Sequence, residues 1–164
     1  MEITGRALKY GADVNTDVII PSRYLSLVDP HELGKHAMEG LDSDFAVKVK
    51  EHDVLVAGRN FGCGSSREQA PLALKYAGVK CVLADSFARI FFRNAINIGL
   101  PVMECEGIHA NVKEGDVLSV DPAKGVVRNH RTGIAWNVPP VPEFLLEIME
   151  KGLVQYVKDR RDRR

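Results

Sequence analysis

The order of apolar and polar positions divides the chain into a half where strands alternate with helices and a half made of strands and turns. Ile3 to Tyr10 alternates weakly and predicts a first strand. Val54-Leu55-Val56-Ala57 and Lys80-Cys81-Val82-Leu83-Ala84 are short apolar runs bounded by polar or glycine residues, as in buried strands, and Pro101 to Cys105 predicts another. Between them, Ala70, Leu72, Ala73, Leu74 and Tyr76 recur at helical spacing and stop at Gly78, a residue suited to a left-handed C-terminal cap. Ser86 then stands where a cap would open a helix from about Phe87 to Asn97, with Phe87, Ile90, Phe91 and Ala95 expected to pack inward. Arg89, Arg93, Asn94 and Asn97 are their polar companions, expected on the helix surface or at a partner interface. Strand, helix, strand, helix, strand is βαβ logic, so the core here is mixed α/β.

The remaining segments are shorter. Asp13, Asn15, Thr16 and Asp17 form a polar turn before Val18-Ile19-Ile20; turn chemistry accounts for the two carboxylates better than a metal does. Asp29-Pro30 reads as an N-cap followed by a first-turn proline and predicts a helix through Met38 that ends near Gly40. Leu41 to Lys50 fits either strand alternation or a helical turn, and the helical turn is preferred. Beyond Gly107, Val117 to Val120, Val126-Val127 and Ile134 to Val138 are separated by turn residues and predict hairpins of a second sheet. Pro139 to Pro142 is a stiff connector into a helix from Glu143 to Lys151, with Phe144, Leu145, Ile148 and Met149 on one face and Gly152 as its stop.

Composition narrows the class. At 164 residues the chain holds one domain with a real core, and Lys plus Arg equals Asp plus Glu at 22 each, so no global field draws it to nucleic acid or acidic membranes. No apolar run reaches membrane-spanning length, and Met-Glu-Ile-Thr-Gly lacks a basic stretch followed by an apolar one, so a cytoplasmic protein is expected. Cys63, Cys81 and Cys105 lie in separate segments without a C-x-x-C, a poor pattern for disulfides or a metal. Cys63 is expected to be a small buried residue, and His109 and His130 ordinary surface residues. The basic residues 158–164 predict a frayed, solvated tail rather than a nucleic-acid arm.

The chemistry concentrates in Gly58-Arg59-Asn60-Phe61-Gly62-Cys63-Gly64-Ser65-Ser66-Arg67-Glu68-Gln69-Ala70, a strand-to-helix turn. Gly62 and Gly64 permit positive φ or close approach to a ligand. Ser65 with Glu68, and Ser66 with Gln69, each fit a capping box, of which only one can form. The other hydroxyl, first-turn N–H groups and Arg67 would then face outward as a pocket for a carboxylate or phosphate. The plainer alternative is a glycine-rich turn into a well-capped helix. The letters do not fit a dinucleotide fingerprint, a P-loop or a nucleophile elbow.

This stretch resembles the signature of the aconitase-superfamily swivelling domain, and within it the small subunits of isopropylmalate dehydratases. Asn15-Thr16-Asp17-Val18-Ile19-Ile20-Pro21 with Tyr24-Leu25, and Asp85-Ser86-Phe87-Ala88-Arg89-Ile90-Phe91 with Asn94, Asn97 and Gly99-Leu100-Pro101, resemble further blocks of the family in the same order. Gln69 stands where many relatives carry histidine. The resemblance implies a three-layer β/β/α swivelling domain with a mixed sheet, βαβ units and a β-hairpin region. That domain would span 1–157, with 158–164 as a tail.

The resemblance also implies a hydro-lyase of leucine biosynthesis, active only with a large subunit as a heterodimer or heterotetramer; the isolated chain could form a homo-oligomer. The 4Fe-4S cluster is expected in that large subunit, with no cofactor or metal in this chain. Ser65 would be the catalytic base, Ser66, Arg67 and Arg23 would meet the 2-hydroxy dicarboxylate, and Tyr24, Leu25, Ser26 and Leu27 would form the specificity loop. An uncharged loop suits an isopropyl group better than an extra carboxylate. A homoaconitase-type or dual-specificity subunit is the alternative within the class, and a non-catalytic anion-binding regulatory module the alternative outside it.

Overall fold

A computed structural model describes residues 1–164. Seven strands form one mixed sheet in the order β4-β3-β2-β1-β5-β6-β7: β1 (Ile3–Lys9), β2 (Val54–Ala57), β3 (Cys81–Ala84), β4 (Val102–Glu104), β5 (Val117–Asp121), β6 (Val126–Asn129) and β7 (Ala135–Asn137). The first four are parallel, in register Ala7 with Val54, Val54 with Cys81 and Val82 with Val102. From β1 the sheet continues antiparallel through β5, β6 and β7. The C-terminal hairpins therefore extend the first sheet instead of forming a second one, because the free edge of β1 accepts β5.

Burial explains the two sequence patterns. β2 and β3 are buried at every position, as expected of parallel strands covered on both faces, whereas β5 alternates between buried and half-exposed positions. Leu8, Leu55, Val82 and Val102 point into a core covered by helices. Ala7, Val54, Val56, Cys81 and Leu83 point the other way and pack with Leu118, Val120 and Val127 of the antiparallel strands. The sheet thus curls over itself, and helices, parallel half and antiparallel half make the β/β/α layering.

Eight α-helices complete the chain: α1 (Thr16–Ile19), α2 (Pro30–Lys35), α3 (Phe45–Lys48), α4 (Gln69–Ala77), α5 (Arg89–Asn97), α6 (Ile108–Asn111), α7 (Glu143–Lys151) and α8 (Leu153–Asp162). Asp29 caps α2 by accepting from the His31 N–H at 2.9 Å, with Pro30 in its first turn, but α2 stops at Lys35 and the chain turns through Met38 at φ 60°. Gly78 ends α4 in the left-handed conformation. Residues 158–164 are solvated but not frayed: α8 continues through Asp162, with Asp159 accepting from Lys151 and Gln155 at 2.7 Å each. Phe144, expected on one face with Leu145, Ile148 and Met149, is exposed, while Ile148 and Met149 are buried. No helix is long and apolar enough to cross a membrane.

Candidate active site

The loop between β2 and α4 leaves the carboxyl end of a parallel strand, where open α/β sheets place ligands. It is shaped by two glycines at positive φ, Gly62 at 82° and Gly64 at 95°. A side chain on Gly62 would also run into the Phe91 ring, so this glycine lets α5 close against the loop.

Neither serine caps α4. The helix starts at Gln69, its N-cap is Glu68 without a side-chain hydrogen bond, and Pro71 occupies its first turn, where backbone N–H groups have no intrahelical partner to lose. Ser65 and Ser66 stay in the irregular loop before it, both exposed. The expected capping box is therefore absent, and the loop takes its shape from tertiary contacts.

Those contacts come from the other two family blocks. Asn15 caps α1, accepting from the N–H groups of Asp17 and Val18 at 2.8 and 3.1 Å, and so presents Thr16 and Asp17 to the loop. Buried Thr16 donates from its hydroxyl to the Ser65 carbonyl at 2.8 Å and from its N–H to the Cys63 carbonyl at 2.8 Å. Ser86, expected to cap α5, instead accepts from the Asn60 N–H at 2.9 Å, and α5 starts at Arg89 with no side-chain cap. Phe61 pairs its backbone with Phe87 and packs edge-on to Phe87 and Phe91.

Arg67 joins the pieces. Its Nε donates to Ser65 Oγ at 3.2 Å, one terminal nitrogen donates to the Ile20 carbonyl at 3.0 Å, and the other lies 2.6 Å from the Asp17 carboxylate. A guanidinium carries five N–H donors, so two remain for a ligand. Ser65, Ser66, Arg67, Thr16, Ile90 and Asn94 are among the residues lining a cavity of about 80 Å³. Ile90, expected to be inward, is instead 54 % exposed.

Arg23 and the segment Tyr24 to Leu27 do not line this cavity. Arg23 donates to Glu39 at 3.2 Å and stacks over the Tyr24 ring, Tyr24 donates to Glu39 at 2.7 Å, and the His36 ring stacks on Tyr24 with Nδ1 2.6 Å from Glu39. The Tyr24 and His36 hydrogen bonds hold the Glu39 carboxyl below its ordinary range. The chain leading into this segment touches the site at Ile20, whose carbonyl holds Arg67 one residue before Pro21.

The cysteines do not form a cluster site. Cys81 and Cys105 are buried, and burial pushes the Cys105 thiol up to about 12, away from the thiolate that ligates metal. Cys63 is half-buried in the loop and bridges to Asn15 through its backbone; desolvation, then the Asp13 carboxylate, raises its thiol pKa. No three His, Cys, Asp or Glu side chains are grouped to hold a metal ion. Asn94, expected on the helix surface or at a partner interface, lines the cavity; its spacing three residues after Phe91 is the signal that places it at the loop.

The aconitase C-terminal domain family matches residues 15–106. The chain is 54% identical over 157 residues to the 3-isopropylmalate dehydratase small subunit of Caldanaerobacter subterraneus subsp. tengcongensis, covering 95% of this chain and 98% of that one. It is 53% identical over 159 residues to the isopropylmalate/citramalate isomerase small subunit of Methanocaldococcus jannaschii, covering 96% and 95%. The crystal structure of a 3-isopropylmalate dehydratase from M. jannaschii superposes with a TM-score of 0.90 at 48% identity, covering 98% of this chain and 96% of that one.

Proposed function

This chain belongs to the aconitase C-terminal domain family, among the small subunits of 3-isopropylmalate dehydratase, and from that premise we propose that it supplies the proton-transfer half of a split active site. The assembled enzyme would interconvert 2-isopropylmalate and 3-isopropylmalate by dehydration and rehydration, as a step of leucine biosynthesis in the cytoplasm. The observation that carries this reading is the exposed Ser65 hydroxyl under the Arg67 Nε, at the mouth of a cavity of about 80 Å³. Small-molecule sites usually enclose about 300–1,000 Å³, so this one needs a second wall. A large subunit would provide it.

Removing water from a 2-hydroxy dicarboxylate needs a base for the proton beside a carboxylate and an acid for the departing hydroxide. Ser65 takes and returns that proton. A serine hydroxyl is a weak base, and Arg67 Nε, already on Ser65 Oγ, strengthens its hydrogen bond as the alkoxide develops. The two spare N–H groups of Arg67 receive a substrate carboxylate. Ser66, without an internal partner, adds a hydroxyl to the substrate. Arg23 braces the Tyr24 to Leu27 segment through Glu39, and that segment, uncharged at its tip and outside this subunit's part of the cavity, would meet an alkyl group once the large subunit extends the site towards it. A 4Fe-4S cluster in the large subunit would supply the Lewis acid for hydroxide departure.

The test is reconstitution. The isolated chain should not turn over isopropylmalate, and addition of the large subunit should restore activity; turnover by the chain alone would overturn the division of labour. The name of the M. jannaschii relative favours a second, broader reading, in which citramalate is also a substrate. Comparing kcat/KM for isopropylmalate and citramalate in the reconstituted pair separates the two.

A further inference from the structure

The wall of the Ser65 cavity opposite the loop carries a polar group without an internal partner. Asn94 follows Phe91 by three residues and Ile90 by four, so the three share one face of α5. Phe91 seats that face against Gly62, and Ile90, Phe91 and Asn94 line the same cavity as Ser65, Ser66 and Arg67. Of the other polar side chains lining it, Thr16 is bonded to the Ser65 carbonyl and Arg67 to Ser65, Ile20 and Asp17, while Ser66 on the loop is free. Asn94 is half-buried, and its amide takes part in none of these bonds. Once a ligand and a partner close the cavity, an amide there needs a hydrogen-bond partner or costs free energy.

We propose that Asn94 is a further substrate-binding residue, its side-chain amide donating to a carboxylate oxygen of the bound 2-hydroxy dicarboxylate. A carboxylate reaching towards the spare N–H groups of Arg67 enters the cavity that Asn94 lines, and exposed Ile90 beside it forms an apolar rim that shields the bond from water. The assignment rests on the cavity being this subunit's half of the active site.

Asn94→Ala removes the donor, and Asn94→Asp keeps the shape while setting a negative charge against the substrate. In the reconstituted two-subunit enzyme, KM for isopropylmalate should rise about tenfold with alanine, from the loss of one hydrogen bond to a charged group, and further with aspartate. kcat should change less, and both variants should keep the thermal midpoint and the large-subunit affinity of the parent. A wild-type KM in both variants overturns the assignment, as does loss of large-subunit binding in both, which would make Asn94 an interface residue. Ser65→Ala, assayed alongside, separates the two failures. If it is inactive while the Asn94 variants keep a normal KM, only the Asn94 assignment falls; if it is active, the reading of the cavity falls with it.

Discussion

Two arginine–aspartate pairs in this molecule have the same 2.6 Å contact and opposite burial. In the antiparallel half, Asp116 is the buried partner, 4% exposed, and Arg131 is 46% exposed; at the loop, Arg67 is the buried partner at 16% and Asp17 is 61% exposed. Asp116 accepts from Arg131 through both oxygens and also from the Lys113 N–H and the Asn129 amide at 2.8 and 2.9 Å. That carboxylate is saturated and pins the turn after β6 to the start of β5. Arg67 keeps two N–H groups free while Asp17 holds it in place. A saturated pair serves the fold, and an unsaturated one is available to a ligand.

The sharpest way to break this contrast is at the loop. Ser65→Ala should lower kcat of the assembled enzyme by about 10³-fold, the scale of losing a general base, with assembly intact. A variant with near-parent kcat would show that the base lies elsewhere. Arg67→Lys should cost about 10²-fold in kcat/KM, since a lysine cannot hold Ser65, Ile20, Asp17 and a carboxylate from one planar fork. Circular dichroism should show the fold retained.

The other pair should respond in stability. Asp116→Asn should destabilise the chain by about 2 kcal/mol, by denaturant unfolding, with normal kcat in the folded enzyme. Arg131 holds the Asp116 carboxyl well below its ordinary range, with the Lys113 N–H and Asn129 assisting against the burial penalty. A depressed folded value stabilises above the unfolded value of about 4 and is lost as pH falls below it. The parent should therefore lose thermal midpoint more steeply below about pH 4 than Asp116→Asn does. Smallest is Asp17→Asn, expected to lower kcat/KM by less than tenfold, because an exposed ion pair contributes little on its own and Ile20 still holds Arg67.

Much of this arrangement was legible in the sequence, because the signals were local. The strands β2 and β3, the proline-started α2 and the Gly78 stop each depend on residues within one turn or strand, and their periodicity located them. What failed was local cap chemistry displaced by competing hydrogen bonds, near and far along the chain. Ser65, Ser66 and Ser86 all read as helix caps, yet Arg67 takes Ser65, the Asn60 N–H takes Ser86, and Ser66 is left free. Ile90 reads as a core position because helical spacing does not reveal which arc meets the sheet. The joining of the hairpins to β1 was also invisible, since strand pairing across more than a hundred residues leaves no periodic trace. Membership of the family was recoverable because its three blocks, far apart in the chain, converge on one loop.

The central strand has a consequence for how the molecule is made. Ile3–Lys9 is flanked on one side by Val54–Ala57 and on the other by Val117–Asp121, so this strand gains its second neighbour only from a segment more than a hundred residues further along the chain. Until that segment pairs, one border of the nascent sheet lies open, a template for wrong pairing. Closure by such distant segments also makes acquisition of the native state slow compared with a helical protein of this size.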